Sequence, residues 1–236
     1  MQDALTYDVP LVSARYAGHF FKFLKTKSIS EGVIAAHNSV AQKVLKNTDT
    51  YLSVNQVIPI LETAQWLLND EMAAFEFGQQ LDLGAHGLFG YMLISRENYL
   101  QLIETVVKHL RVSLPLFDME VVQSGTDVIV RLHDTWDLGV AKPFMAKVYM
   151  GSIYAVASAI SKAMSFECDF SSGKSEDSWK AHVPDTEWCF NAQHNQVTFS
   201  RILQSVNRLS EKSEKQKVVY SLAKNNHVTK LQEANS

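Results

Sequence analysis

This chain of 236 residues is 46% hydrophobic and 20% charged, which excludes disorder over its whole length and allows one good core. Its net charge of −3 gives no electrostatic footprint for nucleic acid. The N-terminus has no secretory signal pattern, and the longest uncharged run, 148–161, is too short to cross a bilayer. We therefore expect a cytoplasmic protein with no membrane span, whose two cysteines are reduced thiols.

The first third of the chain is predicted to be all-helical. Apolar residues recur at helical spacing over 11–25. Ser53 and Gln56 match a capping box at the start of a helix that is expected to reach Leu68. Pro59 lies inside that pattern, so the helix either starts later or kinks there. Shorter helices are expected over 30–36 and 71–80.

Three glycines, Gly84, Gly87 and Gly90, interrupt an apolar and aromatic stretch in the middle of the sequence. Glycine permits positive φ and close approach of backbones, so this spacing suggests tight packing of the main chain. A strongly periodic helix is predicted to follow over 97–111, and Pro115 ends it. We interpret the glycine stretch as the hinge between a helical first half and a mixed second half.

The second half changes from helical to strand-like periodicity. Two strands, over 116–122 and 127–132, flank turn residues and predict a hairpin. The segment 144–164 is apolar nearly all round, which is typical of a helix in the centre of a protein. Further short strands are expected over 165–170, 187–190 and 196–199. The predicted fold is α+β, with a helical N-terminal half packed on a small mixed or antiparallel sheet and a central buried helix.

Motifs that indicate catalysis or metal binding are missing from the sequence. There is no His-Glu-x-x-His pair, no Gly-x-Ser-x-Gly elbow, no Walker motif and no Gly-x-Gly-x-x-Gly cradle. The groups around His133, with Asp134 and Asp137, and around His194, with His182 and Cys189, lack the spacing of strong metal sites. We therefore expect neither an enzyme nor a bound metal or cofactor.

Residues suited to binding are better represented, because 12 Phe, 8 Tyr and 4 Trp provide material for a mostly apolar pocket. The glycine stretch contributes two candidate ligand contacts, and the end of the second hairpin strand contributes three. These candidates are His86, Tyr91, Arg131, His133 and Trp136. A second interpretation stays open, in which the aromatic candidates are core residues and Arg131 is a solvated strand residue.

The glycine stretch, the hairpin and the later strands occur in a characteristic order. The elements of this pattern are Gly87-Leu88-Phe89-Gly90-Tyr91, Ser95, His109 at a helix end, the hairpin through Arg131-Leu132, and the segment 188–199. Over 10–209 the chain resembles the N-terminal regulatory domain, often labelled arabinose-binding, of AraC/XylS-type bacterial transcription regulators. The resemblance implies that the chain binds a small-molecule effector and forms a homodimer, and nothing favours a sugar over another effector.

The resemblance also sets the expected domain organisation. Residues 1–209 would form an effector-binding and dimerisation domain, and 210–236 a linker-like polar tail. Regulators of this type continue into a DNA-binding domain with two helix-turn-helix units, and this sequence has no basic recognition helix after Leu209. We therefore expect no specific DNA binding by this chain alone.

Two other functions remain open at the level of sequence. The first is a stand-alone truncated paralogue that modulates full-length regulators by pairing with them. The second is a small hydrolase or a cofactor-carrying sensor that uses His86, His133 or Cys189.

Overall fold

The structure is a computed structural model that describes residues 6–37, 49–81, 99–158 and 163–200. Over these ranges the fold is α+β, as predicted. Its strands are β1 Pro10–Ser13, β2 Tyr51–Ser53, β3 Phe117–Ser124, β4 Asp127–Asp134, β5 Ala163–Cys168, β6 Thr186–Phe190 and β7 Asn195–Ser200. Its α-helices are α1 Ala14–Thr26, α2 Glu31–His37, α3 Val54–Leu68, α4 Ala73–Gln80, α5 Tyr99–Ser113, α6 Lys142–Ala157 and α7 Glu176–His182.

The N-terminal part is not all-helical, because β1 and β2 pair as a two-stranded antiparallel sheet. The first helix consequently begins at Ala14 rather than at Leu11, and Ser13 before it is extended. Pro10 has no backbone N–H and disfavours a helical residue before it, which is compatible with a strand edge. The sheet partner, Tyr51–Ser53, lies far along the chain. Local periodicity therefore carried no sign of this pairing.

The predicted capping box at Ser53 is confirmed. The Ser53 backbone N–H donates to the Gln56 side-chain oxygen at 3.0 Å, and helix α3 begins at the next residue. The helix continues through Pro59 to Leu68, so the later start that proline suggested is wrong. Asn69 then adopts a left-handed conformation with φ 43°, a common way to end a helix. This end of α3 forms one wall of the site described below.

The five strands β3 to β7 form the main sheet, in the order β3-β4-β7-β5-β6. All neighbours are antiparallel except β5 and β6, so the sheet is mixed. The predicted hairpin is confirmed as β3 and β4, with Phe117 opposite Asp134 and Ser124 opposite Asp127. Helix α7, which was not predicted, connects the parallel pair, and the Ser175 side chain caps it by accepting from the Ser178 N–H.

The central helix α6 is buried along most of its length, as predicted, but it ends at Ala157. The expected extension to 164 is wrong, because Ala163 and Met164 already belong to strand β5. Two of its buried residues are polar. Lys147 and Ser152 are both buried, and the Ser152 hydroxyl donates to the Leu81 carbonyl at 2.7 Å.

Helices α4 and α6 cross with their backbones in contact at Gly78 and Gly151. A Cβ added to Gly78 would lie 2.9 Å from the Gly151 Cα and closer still to the Val148 carbonyl oxygen. A Cβ added to Gly151 would overlap the Phe75 carbonyl oxygen in the same way. Because backbone atoms cannot move aside as a flexible side chain does, only glycine fits at these two positions.

The glycine stretch at Gly84, Gly87 and Gly90, which was interpreted as a hinge, lies outside the described residues. The same is true of the boundary at 209, so the domain division remains a prediction. The helix expected over 97–111 is seen as α5, which continues to Ser113 before Pro115. Within the described ranges, no helix combines the length and the apolar character that crossing a membrane requires.

The contact between α4 and α6 generates a stability prediction. Gly78→Ala and Gly151→Ala should each lower the free energy of unfolding by about 3 kcal/mol, because the added methyl group forces two backbones apart. Urea denaturation followed by tryptophan fluorescence measures this loss. Gly32→Ala is the matched control, since its Cβ would meet only the Ser30 hydroxyl at 3.8 Å, and alanine favours a helix by about 1 kcal/mol. Equal effects at all three glycines would contradict the close crossing.

Candidate functional site

Lys147 of helix α6 is a lysine buried among aromatic rings. Only 6% of its surface is exposed. Its ammonium nitrogen lies 5.6 Å from the ring centroid of Phe170 and 5.6 Å from that of Trp179. These are cation–π distances, and such contacts are stronger when water is excluded from them. Lysine is rarely buried to this extent without a paired charge, which makes the position unusual.

No hydrogen-bond acceptor or paired carboxylate for the Lys147 ammonium is found among the residues that the structure describes. Burial lowers the pKa of Lys147, because the charged form loses its hydration. The negative charges of Glu71 and Asp70 oppose this effect but do not cancel it. A buried ammonium whose donors are unused carries a desolvation cost that nothing in its surroundings fully offsets.

The Lys147 side chain lines a cavity of about 520 Å³, which is within the size range of small-molecule sites. One wall is the C-terminal end of α3 and the loop after it, and the opposite wall is the first turns of α6. We call this space the Lys147 cavity. Its lining residues are Glu62, Gln65, Trp66, Asn69, Asp70, Glu71, Val140, Pro143, Phe144, Lys147 and Ser171.

Glu71 fixes the loop beneath the cavity. Its carboxylate accepts from the Ser172 hydroxyl at 2.7 Å and from the Gly173 N–H at 2.8 Å. Burial alone would raise the pKa of Glu71, but these hydrogen bonds outweigh burial and the pKa is lowered, so the carboxylate is ionised at neutral pH. The Trp179 indole N–H donates to the same Ser172 hydroxyl oxygen at 3.0 Å. This network holds the Trp179 ring against the Lys147 ammonium.

The other two acidic residues of the cavity keep oxygens available. Glu62 is exposed and makes no hydrogen bond or ion pair within the described part of the chain. Asp70 uses one carboxylate oxygen to accept from the Met72 N–H at 3.1 Å, which leaves its second oxygen unused. Trp66 lines the same space and is 71% exposed. The cavity therefore offers a buried donor and more exposed acceptors.

A second, apolar void lies between α1, α3, α4 and α6, and it is lined by residues such as Phe20, Phe77 and Val148. Its volume of about 40 Å³ is near that of one or two water molecules. A metabolite does not fit in that space. The Lys147 cavity is therefore the stronger candidate for a ligand site.

Two of the binding residues predicted from the sequence lie on the opposite face of the main sheet. Along β4, Leu132 is buried toward the helices, whereas Arg131 and His133 point away from them. Arg131 donates from Nε to the Gln196 side-chain oxygen at 3.0 Å. His133 pairs with Glu120 at 3.2 Å. Neither residue lines the Lys147 cavity.

Trp136, another of the predicted binding residues, does not line the Lys147 cavity either. Trp136 is buried, its indole N–H donates to the Pro115 carbonyl at 2.8 Å, and its ring contacts Tyr7 edge-on. These contacts agree with the interpretation of Trp136 as a core aromatic. His86 and Tyr91 lie outside the described residues. The ligand-binding role of all five residues remains a prediction.

Lys147 was not among the residues predicted from the sequence. The available signal was that Lys147 is one of only two lysines in the apolar segment 144–164, where a charge must either reach solvent or be buried. In the described ranges no group of three or more His, Cys, Asp and Glu side chains is placed to hold a metal. Burial raises the pKa of the Cys168 thiol, so this cysteine, close to the site, is protonated at neutral pH.

Comparison with known proteins defines the class of this chain. Residues 34–203 match the family model described as the arabinose-binding domain of AraC transcription regulators, N-terminal. This match covers more than half of the sequence, and the α+β fold agrees with the earlier resemblance. The chain belongs to this family of regulatory domains, and its relatives are transcription regulators.

Two relatives from Pseudomonas aeruginosa illustrate the similarity. The ornithine utilization regulator is 26% identical over 157 residues, which are 66% of this chain and 46% of that protein. The crystal structure of the transcriptional regulator CdpR aligns with a TM-score of 0.48 and 16% identity, over 61% of this chain and 50% of that one. This chain therefore spans about half the length of the relatives it matches.

Because the buried ammonium has no acceptor, we predict that replacing Lys147 does not destabilise the protein. Lys147→Met keeps the apolar stem and removes a charge that has no acceptor. The free energy of unfolding should stay the same or rise by about 1 kcal/mol, since lost ring contacts offset part of the recovered desolvation cost. Urea denaturation at neutral pH measures the change.

Lys142→Met is the matched control on the same helix. Lys142 pairs with Asp134 and Asp169, both at 2.7 Å, so its replacement should lower the free energy of unfolding by about 1 kcal/mol. A loss of more than about 2 kcal/mol for Lys147→Met would indicate an internal partner for its ammonium and would contradict the account of the site.

Proposed function

We propose that this chain is the effector-sensing part of an AraC-type regulator and that its small-molecule effector binds in the Lys147 cavity. The observation that carries the proposal is the buried ammonium of Lys147, which has no acceptor in the described chain and lines a cavity of about 520 Å³. An anionic group of a ligand would supply the missing acceptor. Charge-assisted hydrogen bonds are among the stronger polar contacts in proteins.

The position of the cavity suggests how binding would be communicated. Its walls are the end of α3, the start of α6 and the loop held by Glu71. A ligand that contacts both α3 and α6 would favour arrangements in which the distance between these two helices fits the ligand. An effector that prefers one arrangement shifts the population toward it, by an amount set by its difference in affinity. The central helix α6 packs on α4 through Gly151, so this preference reaches the core.

The resemblance predicts a homodimer, and the proposal includes it. The effector would act by influencing this homodimer. The ornithine utilization regulator is a regulator by name, and this chain spans about half of its length. The proposal therefore does not extend to target DNA or to the contacts of a complete regulator. Sedimentation of the purified chain at several concentrations measures self-association, and a monomer at all concentrations would remove the dimer from the proposal.

Ligand-induced thermal stabilisation tests effector binding in the cavity. The purified chain is screened against a panel of metabolites that includes carboxylic acids, amino acids, amines and sugars. At least one compound should raise the melting temperature by several degrees at a concentration about 100-fold above its Kd, because binding to the folded state alone adds about 2.7 kcal/mol of stability.

A pair of tryptophan variants locates the binding. Gln65 is an exposed residue of the cavity wall, so Gln65→Trp should fill the mouth and abolish the thermal shift without unfolding the protein. Val112→Trp adds the same bulk to an exposed position outside the cavity and should leave the shift intact. A shift that survives Gln65→Trp, or a panel without any shift, would overturn the proposal.

A further inference from the structure

The charges of the Lys147 cavity are arranged in two groups. Among the described residues that line it, Lys147 is the one basic side chain and it is buried. Glu62, Asp70 and Glu71 are acidic, and Glu62 is exposed. Because burial differs in this way, the positive group lies deep and an acidic group lies nearer the mouth. A ligand that enters the cavity meets carboxylates before it meets the ammonium.

The acidic groups are not equivalent. Glu71 is occupied by the Ser172 hydroxyl and the Gly173 N–H, so it serves the loop. Glu62 and the second oxygen of Asp70 have no donor within the described chain. Acidic side chains at a surface are common and do not define a site by themselves. At this surface they share a cavity with a lysine that is more than nine-tenths buried and has no acceptor, and this lysine is the independent sign of a ligand.

We infer that the Lys147 cavity binds a small zwitterion of the amino-acid class. Its carboxylate accepts from the Lys147 ammonium, and its ammonium group donates to Glu62 and Asp70. Trp66 lines the same cavity and is 71% exposed, so its ring would lie near the cationic end of the ligand. This inference rests on the proposed function and specifies the chemistry of the effector.

Ligands with only one kind of charge fit these groups less well. A simple anion satisfies Lys147 but is repelled by the carboxylates of Glu62 and Asp70. A diamine satisfies the carboxylates but is repelled by Lys147 and leaves its buried donors unused. An uncharged sugar leaves both kinds of group with neutral partners. A zwitterion is the small-molecule class that pairs both groups at once.

Isothermal titration calorimetry of the chain at neutral pH tests the inference. The panel consists of the genetically encoded L-amino acids and L-ornithine, and at least one is expected to bind. For each binder, the amine that lacks the carboxylate and the acid that lacks the ammonium serve as matched probes. For L-ornithine these are 1,4-diaminobutane, which lacks the carboxylate, and pentanoate, which lacks both ammonium groups. Each probe should bind at least about tenfold more weakly, because it loses a charge-assisted contact.

Variants assign the two ends of the ligand. Lys147→Met should weaken binding of the amino acid at least about tenfold, and it should leave the affinity of the matched amine unchanged or higher. Glu62→Gln should weaken the amino acid and leave the matched acid unchanged or tighter. Glu187→Gln is the control, since Glu187 is exposed on the other face of the sheet, and it should alter neither affinity.

The outcomes separate this inference from the proposed function. If no amino acid binds but another compound does so in a manner blocked by Gln65→Trp, the zwitterion is wrong and the effector cavity stands. If a matched acid or amine binds as tightly as its amino acid, the zwitterion is also wrong. If neither an amino acid nor any other compound binds in the cavity, both the inference and the proposed function fail.

Discussion

The contact between Gly78 and Gly151 is the constraint on which the site depends. It brings the backbones of α4 and α6 together and so fixes the rotation and height of the central helix. Lys147 lies four residues before Gly151, one turn earlier on the same side of α6. The close contact therefore sets the position of the lysine as well. A larger residue at either glycine would shift α6 and move the ammonium away from the aromatic rings.

A set of aromatic side chains makes the surroundings of the ammonium rigid. Trp179 packs on Trp188 at 4.5 Å between ring centroids, and Trp188 stacks on Phe166 of the sheet at 4.4 Å. The Trp179 N–H is held by Ser172, which in turn donates to Glu71. A donor that is already oriented loses little entropy when a ligand arrives, so a preformed site of this kind favours binding. Folding thus contributes the orientation, and the ligand contributes the acceptor.

Elements with a local signal were predictable from the sequence, and contacts between distant segments were not. The capping box at Ser53 and the hairpin formed by β3 and β4 involve neighbouring residues whose patterns are visible in one window. The β1–β2 pairing joins segments that helices α1 and α2 separate in the chain, so periodicity alone indicated a longer first helix. Lys147 of α6 can be recognised as a candidate site residue only in the folded structure, where α7 and the end of α3 lie around it. The sequence showed Arg131 as a polar residue on a strand. Which face of the sheet its side chain occupies depends on how the sheet packs in the fold.

The pKa of Lys147 in the ligand-free chain tests most directly whether its ammonium is buried without an acceptor. Lysine labelled with carbon-13 at the ε position is titrated by NMR, and Lys147→Met assigns the resonance. We predict a pKa below the ordinary lysine value of 10.5 for Lys147, because its ammonium is buried without an acceptor. We predict a pKa above 10.5 for Lys142, because the effect of burial is outweighed by hydrogen bonds to Asp134 and Asp169. A Lys147 pKa at or above 10.5 would mean that the ammonium is solvated or already paired, and it would contradict the account.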